Sequence, residues 1–197
     1  MPKGIPLTQE ELNRRRHEIF ASSVDLFIEK GFRETSMREI SEAAGMGKSS
    51  LYDYFRTKDE ILLWVVEDEL TDLTTAAREI AGRPILAIER LRQVMQFHLN
   101  FLISRKDFYL KLSFEVQRLA IQSQKRIQAK RHAYQDLIRQ LIDEGIQEGS
   151  FRPVDTLLAT RTLITILTPT VFTSRPTGTP EDMFNAAIDI ILKGIQA

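Results

Sequence analysis

Apolar side chains recur every three or four residues through most of the chain, which is the spacing of one face of an α-helix. The first such run contains Leu12, Ile19, Phe20, Val24, Phe27 and Ile28. Gly31 follows at the position where a glycine in the left-handed region ends a helix. No segment alternates apolar and polar residues as a half-buried strand does. The pattern therefore predicts an all-α protein.

Two short helices are predicted next. Ser36 and Glu39 have the spacing of a capping box, in which a hydroxyl and a carboxylate satisfy free backbone N–H groups at the start of a helix. The segment Gly45-Met46-Gly47 interrupts the helix that follows. Helical spacing then resumes, with Leu51 and Phe55 four residues apart on one face. The sequence thus predicts two short helices joined by a three-residue turn that contains glycine.

Longer helices fill the rest of the chain. Thr57 and Glu60 repeat the capping-box spacing and begin a helix that is predicted to reach about residue 80. Further helices are predicted at 84–104, 107–122, 124–148, 155–173 and 180–196, the last with Thr179 as N-cap and Pro180 at its first position. We therefore expect an N-terminal domain of residues 1–57 with three helices and a larger helical domain of residues 58–197.

Composition permits a globular protein and says little about its partners. The 43% of hydrophobic residues can form a core, and the absence of cysteine excludes disulfides and thiolate metal sites. The 27 basic and 27 acidic residues cancel. The first 60 residues are no more basic, with 10 Lys and Arg against 11 Asp and Glu. A surface that binds nucleic acid would therefore have to be a local patch formed by folding.

The sequence gives no sign of a secretion signal or of a membrane-spanning helix. The N-terminus becomes charged at residues 13–16 and has no apolar stretch of the kind found in secretion signals. The most apolar segment, residues 157–172, contains Arg161, Pro169 and several threonines, which makes it a poor membrane-spanning helix. We expect a soluble, cytoplasmic protein without a membrane partner.

Two short helices with a glycine-containing turn have the form of the helix-turn-helix motif of DNA-binding proteins. Spacing alone leaves a purely structural helical hairpin open. The second of the two helices favours DNA binding, because its outer face carries side chains that donate hydrogen bonds to bases and phosphates. These side chains are Lys48, Ser49, Ser50, Tyr52 and Tyr54.

The same region resembles the tetracycline-repressor (TetR) family over about residues 10–65. The similar segments are Gly31-Phe32, Thr35-Ser36-Met37-Arg38-Glu39-Ile40, Ala43-Ala44-Gly45, Leu51-Tyr52-Asp53-Tyr54-Phe55 and Thr57-Lys58-Asp59-Glu60-Ile61. The remaining two thirds of the chain fit the family only in length and helical character. The resemblance implies a dimeric regulator of transcription, most often a repressor, which a small-molecule effector releases from a palindromic operator.

The resemblance also implies roles for individual residues. Thr35, Tyr54 and Lys58 fall at positions where the family contacts the DNA backbone, and Ser36 is included with them. Lys48, Ser49, Ser50 and Tyr52 fall at positions that face the major groove. Two structural alternatives remain open: the Tyr52 ring packs between helices, or Thr35 only caps the second helix.

Three positions distinguish this helix-turn-helix. Gly47 stands where the family often has Ser or Thr, and Ser49 stands where it often has Gly. Glycine remains an acceptable N-cap, at a cost of about a few tenths of a kcal/mol relative to serine. Asp53 adds a negative charge beside the exposed face, where the carboxylate either accepts from a cytosine amino group or, as we expect, points to water.

The resemblance places the dimer interface and the effector pocket in the C-terminal helices. The apolar stretch around residues 163–172 and the helix at 124–148 are predicted to form the dimer interface, although an intrachain core explains them too. The residues assigned to the interface are Tyr134, Leu141, Leu163, Leu167 and Phe172. The residues assigned to the pocket are Trp64, Phe97, His98, Phe101, Phe108 and Phe114, with Tyr109 and Asn100 as further candidates. Core packing explains these aromatic residues equally well.

An enzyme is the competing class of protein. The three histidines, His17, His98 and His132, are far apart and lack the spacing of metal ligands. No glycine-rich phosphate loop or nucleophile motif is found. A protein-interaction module without DNA is the third class, and the polar, aromatic helix argues against it. We expect a DNA-binding regulator with no enzymatic activity and no cofactor.

Overall fold

The computed structural model describes residues 8–195, and over these residues the protein has nine α-helices and no β-strand. The all-α prediction is confirmed. The helices are α1 (Gln9–Glu29), α2 (Met37–Ala43), α3 (Lys48–Tyr52), α4 (Lys58–Ala81), α5 (Ala87–Ser104), α6 (Lys106–Arg118), α7 (Ile121–Gln147), α8 (Thr156–Phe172) and α9 (Pro180–Ile195).

The helices form two compact units that do not follow the expected division at residue 57. The first unit contains the chain up to Val66 together with Leu110–Gln124. The second contains Glu67–Tyr109 and the chain from Lys125 onward. Helix α4 is unbroken between Lys58 and Ala81 and therefore contributes to both units.

Local sequence signals set several helix ends. Ser36 and Glu39 form the predicted capping box of α2, and Thr179 and Asp182 form one at the start of α9. Gly31 has a φ of +102°, in the region that favours glycine. The box predicted at Thr57 is only half present. Its hydroxyl accepts from the Glu60 N–H, but the Glu60 carboxylate accepts from the Arg56 N–H instead.

The core of the second unit is formed by α4, α5, α7, α8 and α9, with α8 packed on both α9 and α5. Four residues that were expected at a dimer interface lie in this core: Tyr134, Leu141, Leu163 and Leu167 are all buried within the single chain. The expectation was wrong for them, because buried side chains leave no surface for a second protomer. Phe172 is half-buried, and its ring centroid lies 6.3 Å from that of Tyr109.

Candidate nucleic-acid interface

The turn between α2 and α3 is closed by backbone hydrogen bonds. The N–H of Met46 donates to the Ser41 carbonyl at 2.9 Å, and the N–H of Gly45 donates to the Glu42 carbonyl at 3.1 Å. Gly45 has a φ of +63°, which side chains rarely adopt. Gly47 is the N-cap of α3 and makes no side-chain capping bond. The two helices are therefore joined by the predicted glycine turn.

Two apolar side chains fix α3 to the first unit. Leu51 and Phe55 are buried, and the backbone N–H groups of Tyr54 and Phe55 both donate to the Leu51 carbonyl. Helix α3 ends at Tyr52, so Leu51 lies within the helix and Phe55 lies beyond its end. The Phe55 ring nevertheless reaches the core, where it lies 6.0 Å from the Trp64 ring.

The opposite face of α3 is open to solvent. Lys48, Ser49 and Ser50 are exposed, and Tyr52 is 41% exposed. The Nζ atom of Lys48 lies 5.9 Å from the centroid of the Tyr52 ring, a cation–π contact at the surface. Tyr52 therefore does not pack between helices. Lysine, two serines and a tyrosine form one surface with donors for DNA bases and phosphates.

Thr35 and Lys58 differ from their expected role at the DNA backbone. Thr35 is only 2% exposed, and its hydroxyl donates to the Gly31 carbonyl at 2.7 Å. The Lys58 ammonium donates to three carbonyl oxygens, those of Phe32, Arg33 and Thr35. These bonds use all three of its N–H groups, and burial lowers the pKa of Lys58. Both residues hold the segment between α1 and α2 from inside.

Ser36, not Thr35, is the N-cap of α2. Its hydroxyl lies 2.7 Å from Glu39 Oε2, and its side chain is exposed. Hydrogen bonds from Lys30 first, and then from Ser36, lower the pKa of Glu39 to about 2. Tyr54 is half-buried beyond the end of α3. Ser36 thus has a structural role that does not remove it from the surface.

Two exposed cations in and after α3 make no ion pair within residues 8–195. Lys48 is one, and Arg56, an exposed residue directly after Phe55, is the other. Three other basic side chains are compensated, in the ion pairs Arg38 with Glu42, Lys30 with Glu39 and Arg33 with Glu115. Arg56 was not among the predicted site residues, although a basic residue between the buried Phe55 and the cap Thr57 was a usable signal.

The residues expected in an effector pocket are divided between the two units. Trp64 belongs to the first unit and makes edge-to-face contact with His17 at 4.8 Å. Phe114 also belongs to the first unit and is 69% exposed, so it lines no enclosed cavity there. Phe97, His98, Phe101 and Phe108 belong to the second unit and are buried or half-buried.

His98 has a partner that the sequence did not indicate. The Tyr134 hydroxyl lies 3.0 Å from His98 Nδ1, and both rings are buried between α5 and α7. Burial lowers the pKa of His98 to about 4 and raises the pKa of Tyr134 above its usual value. His98 is therefore neutral near pH 7. The pair lies 36 residues apart in the chain, which is why periodicity did not reveal it.

Two further findings concern the described chain as a whole. Between residues 8 and 195, no group of three His, Cys, Asp or Glu side chains is arranged to hold a metal ion. Over the same span, no helix is both long enough and apolar enough to cross a membrane.

A glycine turn between two short helices, with an exposed polar and aromatic second helix, defines a helix-turn-helix DNA-binding protein. Residues 19–65 match the family model described as "Bacterial regulatory proteins, tetR family". Residues 85–195 match the model described as "Tetracyclin repressor-like, C-terminal domain". The chain belongs to the TetR family and is a DNA-binding regulator of transcription.

Relatives resemble the chain over nearly its whole length. It is 28% identical over 189 residues to the HTH-type transcriptional repressor KstR2 of Mycobacterium tuberculosis, a match that covers 94% of each chain. The TetR family regulator PfmR from Thermus thermophilus has a similar structure, with 28% identity, a TM-score of 0.75, and coverage of 91% of this chain and 99% of that one. FadR from Bacillus subtilis, solved with stearoyl-CoA, shares the fold, with 20% identity, a TM-score of 0.78, and coverage of 91% and 99%.

Proposed function

We propose that the protein is a homodimeric repressor that binds a palindromic operator and is released from it by a small-molecule effector. The observation that carries the proposal is the exposed face of α3, where Lys48 and Tyr52 lie at the surface while Leu51 of the same helix is buried. Such a face has no packing role within the first unit. Repression is supported by the name of the relative KstR2, a transcriptional repressor.

The proposed base contacts come from Lys48, Ser49, Ser50 and Tyr52. A lysine donates to guanine acceptors or to phosphate, and hydroxyl groups bond to either bases or phosphates. Arg56 supplies a second uncompensated cation for the DNA backbone. Ser36 and Tyr54 remain candidates for backbone contacts, whereas Thr35 and Lys58 position the segment that precedes α2.

The proposed dimer interface lies on α8 and α9, on faces that differ from those first expected. Leu158 is 61% exposed and Ile190 is 75% exposed, although both helices pack together in the second unit. Large apolar side chains that remain exposed on neighbouring helices are typical of a surface that a second copy covers. Two copies related by a two-fold axis place two α3 helices on successive major grooves of a palindrome.

The proposed effector is a small molecule with an apolar body that binds in the second unit. Phe97, Phe101 and Phe108 supply aromatic surface there, and the pair of His98 and Tyr134 supplies polar atoms. One relative of known structure is the ketosteroid transcriptional regulator KstR2 of Mycobacterium tuberculosis, and another relative is the fatty acid metabolism regulator protein of Bacillus subtilis. Both names support a steroid-like or acyl-like effector. Release requires that the effector bind more tightly to a state with lower operator affinity.

The decisive experiment selects an operator from a random DNA library and measures its affinity for variants. Replacing Lys48 and Tyr52 together by alanine should weaken binding about 100-fold, since two contacts of roughly 1.4 kcal/mol each are lost. The control Lys125→Ala removes an exposed lysine on α7 of the second unit and should leave the affinity unchanged. Unchanged affinity of the double variant, with its helical content intact, would refute the assignment of α3.

A further inference from the structure

One buried carboxylate oxygen in the second unit has no hydrogen-bond partner among the described residues. It is Oε2 of Glu69, on α4. The other oxygen, Oε1, accepts from Arg105 Nε at 2.7 Å, and the side chain is only 12% exposed. Buried polar atoms in folded proteins are almost always paired, and leaving an acceptor unpaired costs free energy. An unpaired acceptor in a binding domain is therefore a candidate for contact with a ligand.

A neighbour on the same helix shows that the lack of a partner is particular to Glu69. Glu67 lies two residues earlier, is 14% exposed, and is also paired with an arginine. Both of its oxygens are occupied, because Arg126 donates from Nε at 2.7 Å and from Nη2 at 2.5 Å. The two carboxylates thus lie on the same helix, are buried to a similar degree, and are each paired with an arginine. They differ in that Glu69 has one oxygen without a hydrogen-bond partner, whereas Glu67 has none.

Tyr109 lies near the Glu69 carboxylate. Its phenolic oxygen makes no hydrogen bond within residues 8–195 and, unlike Glu69 Oε2, it is not fully buried. Burial, followed by the nearby Glu69 carboxylate, raises the pKa of Tyr109 to about 12. The phenol therefore keeps its proton and can donate it. Its ring makes edge-to-face contacts with Phe108 at 5.7 Å and with Phe172 at 6.3 Å, which adds an apolar wall.

We propose that Glu69 and Tyr109 bind a hydroxyl group at one end of the effector. The hydroxyl hydrogen of the ligand donates to Glu69 Oε2, the ligand oxygen accepts from the Tyr109 phenol, and its apolar body packs against Phe108 and Phe172. A neutral donor fits better than an ammonium group, because Arg105 already compensates the Glu69 charge. This inference rests on the proposed function, in which the second unit binds an effector, and it adds the chemistry that the site selects.

The test compares apolar alcohols with their own methyl ethers. Two pairs serve as probes, testosterone with its 17-methyl ether and 1-decanol with its methyl ether, and isothermal titration calorimetry of the full chain gives the Kd of each. An ether can accept a hydrogen bond but cannot donate one. We expect the alcohol to bind at least about tenfold tighter in one pair or both, because a site that pairs with a hydroxyl discriminates strongly against analogues that lack it. Equal affinities in both pairs would overturn the inference.

Three variants test whether Glu69 and Tyr109 cause the preference for the alcohol over its ether. Glu69→Gln replaces the free acceptor by an amide and should reduce the alcohol-to-ether ratio to about one, and Tyr109→Phe should also reduce it. The matched control Glu67→Gln should keep the ratio of the unaltered protein, since neither Glu67 oxygen is free. Circular dichroism checks that each variant is folded. A ratio that survives in folded Glu69→Gln and Tyr109→Phe would refute the site.

Operator binding separates this inference from the proposed function. If a probe releases the selected operator from the unaltered protein but alcohol and ether act equally, the repressor function holds and the hydroxyl site fails. If the alcohol binds selectively through Glu69 but never changes operator affinity, the site holds and effector-controlled release fails.

Discussion

The Nζ atom of Lys58 donates a hydrogen bond to the carbonyl oxygen of Thr35 at a distance of 2.8 Å. Family resemblance assigns both residues to the DNA backbone, yet here they bind each other in the segment that leads into α2. The same ammonium group binds the carbonyls of Phe32 and Arg33, and it lies 5.0 Å from the Phe32 ring centroid. Lys58 thus positions the helix-turn-helix from its inner side.

Lys58→Met should destabilise the first unit. Three carbonyl oxygens lose a charged donor, and the expected cost is about 2 kcal/mol of unfolding free energy, as measured by urea denaturation. The control Lys125→Met alters an exposed lysine and should change stability by less than about 0.5 kcal/mol.

The salt dependence of operator affinity distinguishes this structural role of Lys58 from a contact with a DNA phosphate. Loss of one phosphate contact lowers the slope of log K against log salt concentration by about one. We expect Lys58→Met to leave that slope unchanged.

Gly145→Ala should destabilise the second unit. A Cβ atom at Gly145 would lie 2.3 Å from Cδ2 of the buried Phe151 ring, so ring and helix α7 must separate. Overpacking of this kind costs about 1–3 kcal/mol. Gly194→Ala in α9 is the matched control, since nothing lies within 4 Å of the added carbon. Alanine favours helices over glycine, so this control should be neutral or stabilising in thermal unfolding.

His98 should make stability depend on pH between about 6.5 and 4. Its pKa in the folded protein is lowered to about 4 by burial beside Tyr134, so the unfolded chain takes up a proton at higher pH than the folded protein does. Stability is therefore full above pH 6.5 and falls as the pH decreases towards 4, by about 3 kcal/mol in total. His98→Gln should show a smaller fall than the unaltered protein in urea denaturation at each pH. The control His132→Gln, at an exposed position, should show the same fall in stability as the unaltered protein.

Leu158→Asp and Ile190→Asp should each convert the proposed dimer into a monomer. A carboxylate on each side of a two-fold interface must be desolvated, which opposes association. The measurement is light scattering after size-exclusion chromatography at micromolar concentration. Leu110→Asp and Ile121→Asp change similarly exposed apolar residues of the first unit and should leave the dimer intact. A dimer that survives both α8 and α9 variants would place the interface elsewhere.

The sequence alone determined the features that depend on neighbours within one or two helical turns. Ser36 with Glu39 marks a helix start because capping bonds join residues three positions apart, and Thr179 directly before Pro180 marks another. The glycine turn and the exposed face of α3 follow from the same short range, with Leu51 as the buried anchor. The predicted all-α class and the resemblance to the TetR family were confirmed for this reason.

Tertiary structure decided what each buried face contacts. Helical periodicity shows that Tyr134 and Leu163 are covered, but it does not distinguish the same chain from a second copy, and both proved to lie in the intrachain core. Pairs distant in sequence, such as Lys58 with Thr35 and Arg105 with Glu69, leave no local pattern, because folding brings together residues 23 and 36 positions apart. The free oxygen of Glu69 is visible only once every possible donor around it has been placed.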